Sequence, residues 1–238
     1  MSKLVLIDFD MLSCRFHEVA SNPIAEDYFA EGLSVVNNDK VYQLTYLSGD
    51  ILTWKLSHSG QKVSGASLES ETYLKSSLKM RQGWGLTQRL VSPDKWFLYA
   101  SDSTSKLKEI DPDNWNLVRE IDVTAKNGKP LPYLNELEII SEPLKSNYLF
   151  ANQFQSNYIF MIDLRSGEVK HSWNMEELLI SEQDHVLRNG LERPPHGWSN
   201  AVLNGIAYIP SRDSFLLSGK EWTTIYEVKL DYQKYMDI

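Results

Sequence analysis

The chain has 238 residues, 42% hydrophobic and 24% charged, and a formal net charge of −8 at pH 7. That length builds a sizeable core in one or two domains, and the negative charge repels phosphate, which argues against a nucleic-acid partner. No apolar run approaches the ~20 residues that a membrane helix needs, and a single cysteine, Cys14, excludes an intrachain disulfide and a cysteine-based zinc cluster.

Residues 3–10 alternate apolar and polar side chains and read as a strand. They lack the continuous apolar stretch of a signal peptide. The expectation is a soluble protein, cytoplasmic as it stands and secretory if a leader precedes it. Residues 29–33 and 41–46 read as two more strands, and 50–57 repeats the pattern of 3–10. This three-part unit returns at 83–87, 96–101 and 106–113, where 115–123 adds a fourth strand. It returns again at 134–138, 148–152 and 158–165. After that, residues 175–180 read as a helix, with Asn174 as N-cap and Glu176 and Glu177 in the first turn. A loop at 189–200 holds Pro194, Pro195 and Gly197, and the last unit follows at 203–207, 214–219 and 224–231.

Aligned on Ile7, Trp54, Ile110, Ile162 and Val228, the copies recur about every 50 residues. The helix and loop lengthen the last interval. Gly60 and Gly167 mark turns soon after their strands. Units of this size with three or four short strands read as propeller blades. A β-sandwich competes, but three elements repeating in register favour the propeller. The expected fold is therefore all-β: one domain, residues 1–238, forming a five-bladed β-propeller with one short helix. The first copy begins at its second hairpin strand, so the first blade is expected to be incomplete, its inner strands falling before Met1.

Inner strands line the central channel of a propeller, so equivalent positions form a ring. One ring holds Glu31, Trp84, Asn135 and Asn204; a second, from the ends of neighbouring strands, holds Tyr46, Asp102, Phe154 and Lys220. A few convergent polar groups among aromatic walls is the usual form of a small-ligand site. Each residue also has a plainer reading. Glu31 alone would be a solvated or capping carboxylate, Lys220 a surface cation and Trp84 core. Asn135 would bond a neighbouring backbone, Asn204 would be structural, and Asp102 divides between a second acid and a turn former.

Nine segments carry a resemblance in order: Glu31-Gly32-Leu33, residues 43–46, Gly83-Trp84-Gly85-Leu86-Thr87, Ser101-Asp102, Asp111-Pro112, Leu134-Asn135-Glu136-Leu137-Glu138, Ala151-Asn152, residues 202–208 and Gly219-Lys220-Glu221-Trp222. Together they resemble the signature of plant-type glutaminyl cyclases, a family of plants, bacteria and some protists. The resemblance implies conversion of N-terminal glutamine of peptides to pyroglutamate with release of ammonia. It implies Glu31 as proton shuttle, Asn135 and Lys220 as binders of the developing oxyanion or the amide, and Phe29, Tyr46, Trp84 and Phe154 as substrate-binding walls. Tyr46 and Phe154 stand where the family usually has Trp. The family also carries a Phe-Thr-Gln-Gly-Leu type element, whose Gln has no counterpart here.

No cofactor and no metal are expected, because His17, His58, His171, His185 and His196 are scattered without ligand spacing. No Gly-x-Ser-x-Gly elbow is present. The expected partners are peptides or proteins with N-terminal glutamine, with no nucleic acid and no membrane, and a monomeric state. The competing function is a non-catalytic propeller that binds peptides or proteins.

Overall fold

The computed structural model describes residues 2–10, 12–73, 77–140, 142 and 147–237. Five antiparallel sheets follow one another along the chain. The first has two strands, β1 (Lys3–Asp10) and β2 (Arg15–Pro23). The second has four in the order β3 (Ala30–Val36), β4 (Lys40–Thr45), β5 (Asp50–Ser59) and β6 (Lys62–Tyr73). The third runs through β7 (Leu86–Ser92), β8 (Lys95–Ser101), β9 (Lys106–Asp111) and β10 (Asn116–Asp122). The fourth comprises β11 (Leu134–Ile139), β12 (Tyr148–Gln153), β13 (Tyr158–Asp163) and β14 (Val169–Asn174). After the helix α1 (Glu176–Arg188), three strands make the last sheet: β15 (Leu203–Ile209), β16 (Ser214–Gly219) and β17 (Tyr226–Val228).

The arrangement is a β-propeller, and the repeat read from the sequence is its register. The five aligned copies are β1, β5, β9, β13 and β17, the third strand wherever a blade is present. The expectation of five blades is corrected in one respect. Four sheets are blades of three or four strands, and the first copy forms only a two-stranded sheet. Met1, at the head of that copy, lies outside the described residues.

The middle strands of the four blades bury apolar side chains, and the core lies between consecutive sheets. Leu4 of the first sheet and Ile24, just after it, pack on Val41, Leu52, Trp54 and Leu56 of the second. Tyr42, Leu44 and Ile51 meet Leu86, Leu98 and Ile110. Tyr99 and Leu107 meet Leu137, Leu149 and Ile162, and Phe150 and Met161 meet Leu203, Phe215 and Leu217. Each such fully buried large side chain stabilises the fold by about 1.5–3 kcal/mol. This stack of four interfaces is what separates a propeller from the rejected sandwich, which would have one.

The innermost strands sit side by side: β3 beside β7, β7 beside β11, and β11 beside β15. They surround a channel of about 520 Å³. Helix α1 is longer than the sequence suggests, running on to Arg188. The N-cap is Met175 rather than the expected Asn174, whose side chain accepts the Glu176 backbone N–H at 3.0 Å from one residue earlier. No helix among the described residues is long and apolar enough to cross a membrane.

Candidate active site

The inner strands do not run straight past the channel mouth. In β3 the pairing slips between Ala30 and Leu33, in β11 between Leu134 and Leu137, and in β15 between Leu203 and Ile206. Each slip inserts an extra residue, a β-bulge, at Glu31-Gly32, Asn135-Glu136 and Asn204-Gly205. A bulge bends the strand and re-aims a side chain. Three members of the first predicted ring therefore owe their direction to the same local defect, repeated in three of the four blades.

Glycines let the bulged backbones touch. The Gly32 N–H donates to the Trp84 carbonyl at 2.7 Å, and a Cβ on Gly32 would lie 2.4 Å from that oxygen. A Cβ on Gly85 would lie 1.9 Å from the Asn135 carbonyl oxygen. Side chains of the second strands then stitch this seam. Ser101 Oγ accepts the Gly85 N–H and donates to the Asn135 carbonyl, both at 2.8 Å. Asn152 accepts the Glu136 N–H at 2.8 Å and donates to the Leu203 carbonyl at 2.7 Å. The sequence placed Ser101 and Asn152 inside the family-like segments but assigned them no role.

Lys220 is aimed by a turn. The Trp222 ring lies against Gly219, where a Cβ would meet it at 2.2 Å. The Trp222 indole N–H donates to the Ala201 carbonyl at 2.8 Å, and Glu221 adopts φ of +61°. The helix holds this turn through Glu182, whose carboxylate accepts the Thr223 N–H, the Thr223 hydroxyl at 2.7 Å and the Tyr226 hydroxyl at 3.1 Å. Burial alone would raise the Glu182 pKa; these donors outweigh it and hold the carboxylate ionised more firmly than usual.

One cavity of about 330 Å³ results, and Phe29, Glu31, Tyr46, Trp84, Asn135, Phe154 and Lys220 line it. All seven residues to which the resemblance gives a role thus meet in one place. Trp84 and Phe154 stand edge to face with ring centroids 5.5 Å apart, and Phe29 and Tyr46 do the same at 6.0 Å. The Lys220 ammonium sits 5.2 Å from the Phe154 ring centroid, within cation–π range. Burial raises the Glu31 pKa, and the Lys220 charge partly opposes the rise.

Two ring members stay out. Asp102 is buried as a turn former: it accepts the Thr104 N–H at 3.2 Å and the Arg81 N–H at 3.4 Å, and faces the buried Lys108 ammonium at 3.7 Å. Asn204 lines neither this cavity nor the channel, and its Nδ2 is buried without a hydrogen-bond partner. Among the described residues, no group of three His, Cys, Asp or Glu side chains is arranged to hold a metal ion.

Beneath the cavity, Glu136 and Glu138 face the channel. Burial, with the Glu31 charge added, pushes Glu136 to a pKa of about 8. Burial does the same to Glu138, against the bond it accepts from the Tyr208 N–H. Both groups are thus protonated more readily folded than unfolded. Their stabilising contribution is complete below the ordinary value of 4.5 and is lost as pH rises through about 8. A melting series should show Tm falling across that window, with a flatter fall in Glu138→Gln.

The comparisons with known proteins bear on this site. Residues 8–230 match the glutamine cyclotransferase family model, which is nearly the whole chain. The chain belongs to that family. A glutaminyl-peptide cyclotransferase of Arabidopsis thaliana is 30% identical over 203 residues, 85% of this chain and 53% of the relative. This glutamine cyclotransferase family member therefore spans about half the length of that relative. The crystal structure of Myxococcus xanthus glutaminyl cyclase superimposes with a TM-score of 0.69 at 27% identity, covering 90% of this chain and 78% of that one.

Proposed function

We propose that this chain is a glutaminyl-peptide cyclotransferase acting, as a monomer, on peptides with N-terminal glutamine. The observation that carries the reading is the convergence of Glu31, Asn135 and Lys220 with four aromatic rings on one cavity. Relatives that bear the activity in their names, from Arabidopsis and Myxococcus, support it.

The chemistry follows from the groups present. The substrate's α-amine attacks its own γ-carboxamide carbon, forming the ring C–N bond and a tetrahedral oxyanion. Glu31, ionised, takes the proton that the amine sheds. It returns that proton to the carboxamide nitrogen as the second C–N bond breaks and ammonia leaves. A carboxylate with a raised pKa suits a group that must accept and return one proton. Lys220 and the Asn135 amide supply positive charge and a donor where the oxyanion grows. The aromatic walls hold the glutamine folded, so the intramolecular attack starts near its transition-state geometry.

We further propose that β1 and β2 are the outer half of a fifth blade. The packing of Leu4 of β1, and of Ile24 just after β2, with Leu52 and Leu56 of β5 and Val63 and Ala66 of β6 supports this, as does the sequence alignment of β1 with the third strand of every blade. The inner half would bring the glutamine-bearing element that the family resemblance implies. A version carrying upstream inner strands is expected to release ammonia from a Gln-initiated dipeptide at least about 10-fold faster than residues 1–238 alone, the scale of one oriented catalytic contact. Equal rates would mean that the two-stranded sheet suffices.

A further inference from the structure

A cavity of about 330 Å³ lies at the lower end of ligand sites, which run from about 300 to 1,000 Å³. It suits one residue, and the rest of a peptide must leave it. Tyr46, Trp84 and Phe154 are shared with a second cavity of about 670 Å³. Another neighbour, sharing only Tyr46, measures about 10 Å³ and holds no peptide. A chain that leaves the pocket over the Trp84 and Phe154 rings enters the larger cavity.

That cavity is polar and rigidly floored. Ser103, Thr104, Tyr133, Gln155 and Arg81 line it. The Tyr133 N–H donates to the Ser103 carbonyl at 3.1 Å, and the Phe154 N–H to the Tyr133 carbonyl at 2.8 Å, so the rim loops are tied to one another. Ser103, Tyr133 and Gln155 all hold positive φ, at 72°, 63° and 59°. Such backbone persists only where its surroundings enforce it, and it clusters at ligand sites. Tyr133 is 54% exposed and offers a ring face.

The charge is one-sided. No carboxylate lines the cavity, and its one cation is Arg81. Among the described residues the exposed Arg81 guanidinium has no acidic partner, although the chain carries a net charge of −8. An unpaired guanidinium presents a planar fork of donors suited to a carboxylate.

We propose that this groove seats the second and third residues of the peptide, and that Arg81 selects an acidic side chain there. The inference deepens the cyclase reading and rests on it for the identity of the first residue. The test uses C-terminally amidated Gln-Glu-Ala and Gln-Ala-Glu peptides against their Gln-Lys-Ala and Gln-Ala-Lys counterparts. Turnover and calorimetric affinity are both measured at low salt on the native chain, Arg81→Gln and Arg81→Glu. The native chain should favour the acidic peptides in kcat/KM and in affinity by roughly three- to fivefold, the scale of an exposed ion pair. Arg81→Gln should abolish the preference. Arg81→Glu should reverse it towards the lysine peptides, a gain that misfolding cannot imitate. Binding preference that follows these charges, with no ammonia released by this chain or by its upstream-extended form, would uphold the groove and sink the cyclase reading. A preference unchanged across the three proteins, in turnover and in binding, would overturn the groove.

Discussion

Glu31→Gln is expected to lower kcat/KM for cyclisation of a Gln-initiated peptide by about 100- to 10,000-fold, the usual contribution of a positioned acid–base group. The substitution keeps the shape and hydrogen-bonding capacity of the side chain and removes only its ability to exchange a proton. Its neighbours define what is lost: the Lys220 charge, the Asn135 amide and a largely apolar wall remain in place. In the native chain, kcat/KM should rise with pH through a midpoint above the ordinary Glu value, because burial raises the Glu31 pKa more than Lys220 lowers it. The variant should lose that inflection. Its fold should not suffer. A buried carboxylate with a raised pKa is stabilising below its unfolded value and costs stability once ionised, so Glu31→Gln should melt at or above the native Tm above that midpoint. Steady-state ammonia release over a pH series, with a melt at each pH, measures both effects. Equal activity in variant and native protein would remove Glu31 from the chemistry.

Gly85→Ala should be the most damaging single methyl in the molecule. Its Cβ would stand 1.9 Å from the Asn135 carbonyl oxygen and 2.8 Å from both the Asn135 carbonyl carbon and the Glu136 Cα. All three are backbone atoms of the neighbouring inner strand, so no side chain can swing away. Overpacking ordinarily costs about 1–3 kcal/mol, and here the backbone itself must move, so a loss of at least about 3 kcal/mol is expected. For a domain of this size that is roughly 6–12 °C in Tm. The displaced strand carries Asn135 and Glu136, and Trp84 precedes the new methyl, so activity should fall even below the melting transition. Thermal unfolding by circular dichroism, paired with turnover at low temperature, reads the two losses separately. Gly60→Ala is the internal comparison: nothing lies within 4 Å of its Cβ, and the cost there is only that of a φ of +64°.

The parts of the fold that could be read from sequence are those where burial writes a pattern. The aligned copies in the second, third and fourth sheets are strands whose apolar side chains fill the inter-sheet cores, as Ile51, Trp54, Ile110 and Ile162 do. The outer strands largely face water, and only one of them, residues 115–123, is readable from its pattern. The sequence of β2, with exposed His17, Glu18 and Val19, and of β6, with exposed Glu69 and Glu71, gives no period to detect. The helix was seen only in its first turns, because later positions such as Ser181 and Gln183 are solvent-facing and only Glu182 and Val186 are buried.

The site was legible for a different reason. Six of its seven residues, all but Phe29, stand at equivalent positions of a repeat, and a propeller converts equivalent sequence positions into a ring. What the repeat could not reveal is which ring members turn inward. Asp102 and Lys220 share a register, yet Asp102 is claimed by Thr104, Lys108 and the Arg81 backbone, while Trp222 steers Lys220 towards the cavity. Glu136 stands in the sequence only as one member of a family-like segment. Its place beneath Glu31 depends on a bulge, and that bulge carries no glycine of its own to announce it.

The most direct test is to incubate residues 1–238 with a Gln-initiated peptide, follow ammonia, and weigh the product. The proposed function predicts one ammonia released for each pyroglutamyl peptide formed, faster than the uncatalysed closure and dependent on Glu31. A folded chain that leaves the peptide intact, and whose upstream-extended form does so too, would contradict it and leave a propeller that binds peptides without cyclising them.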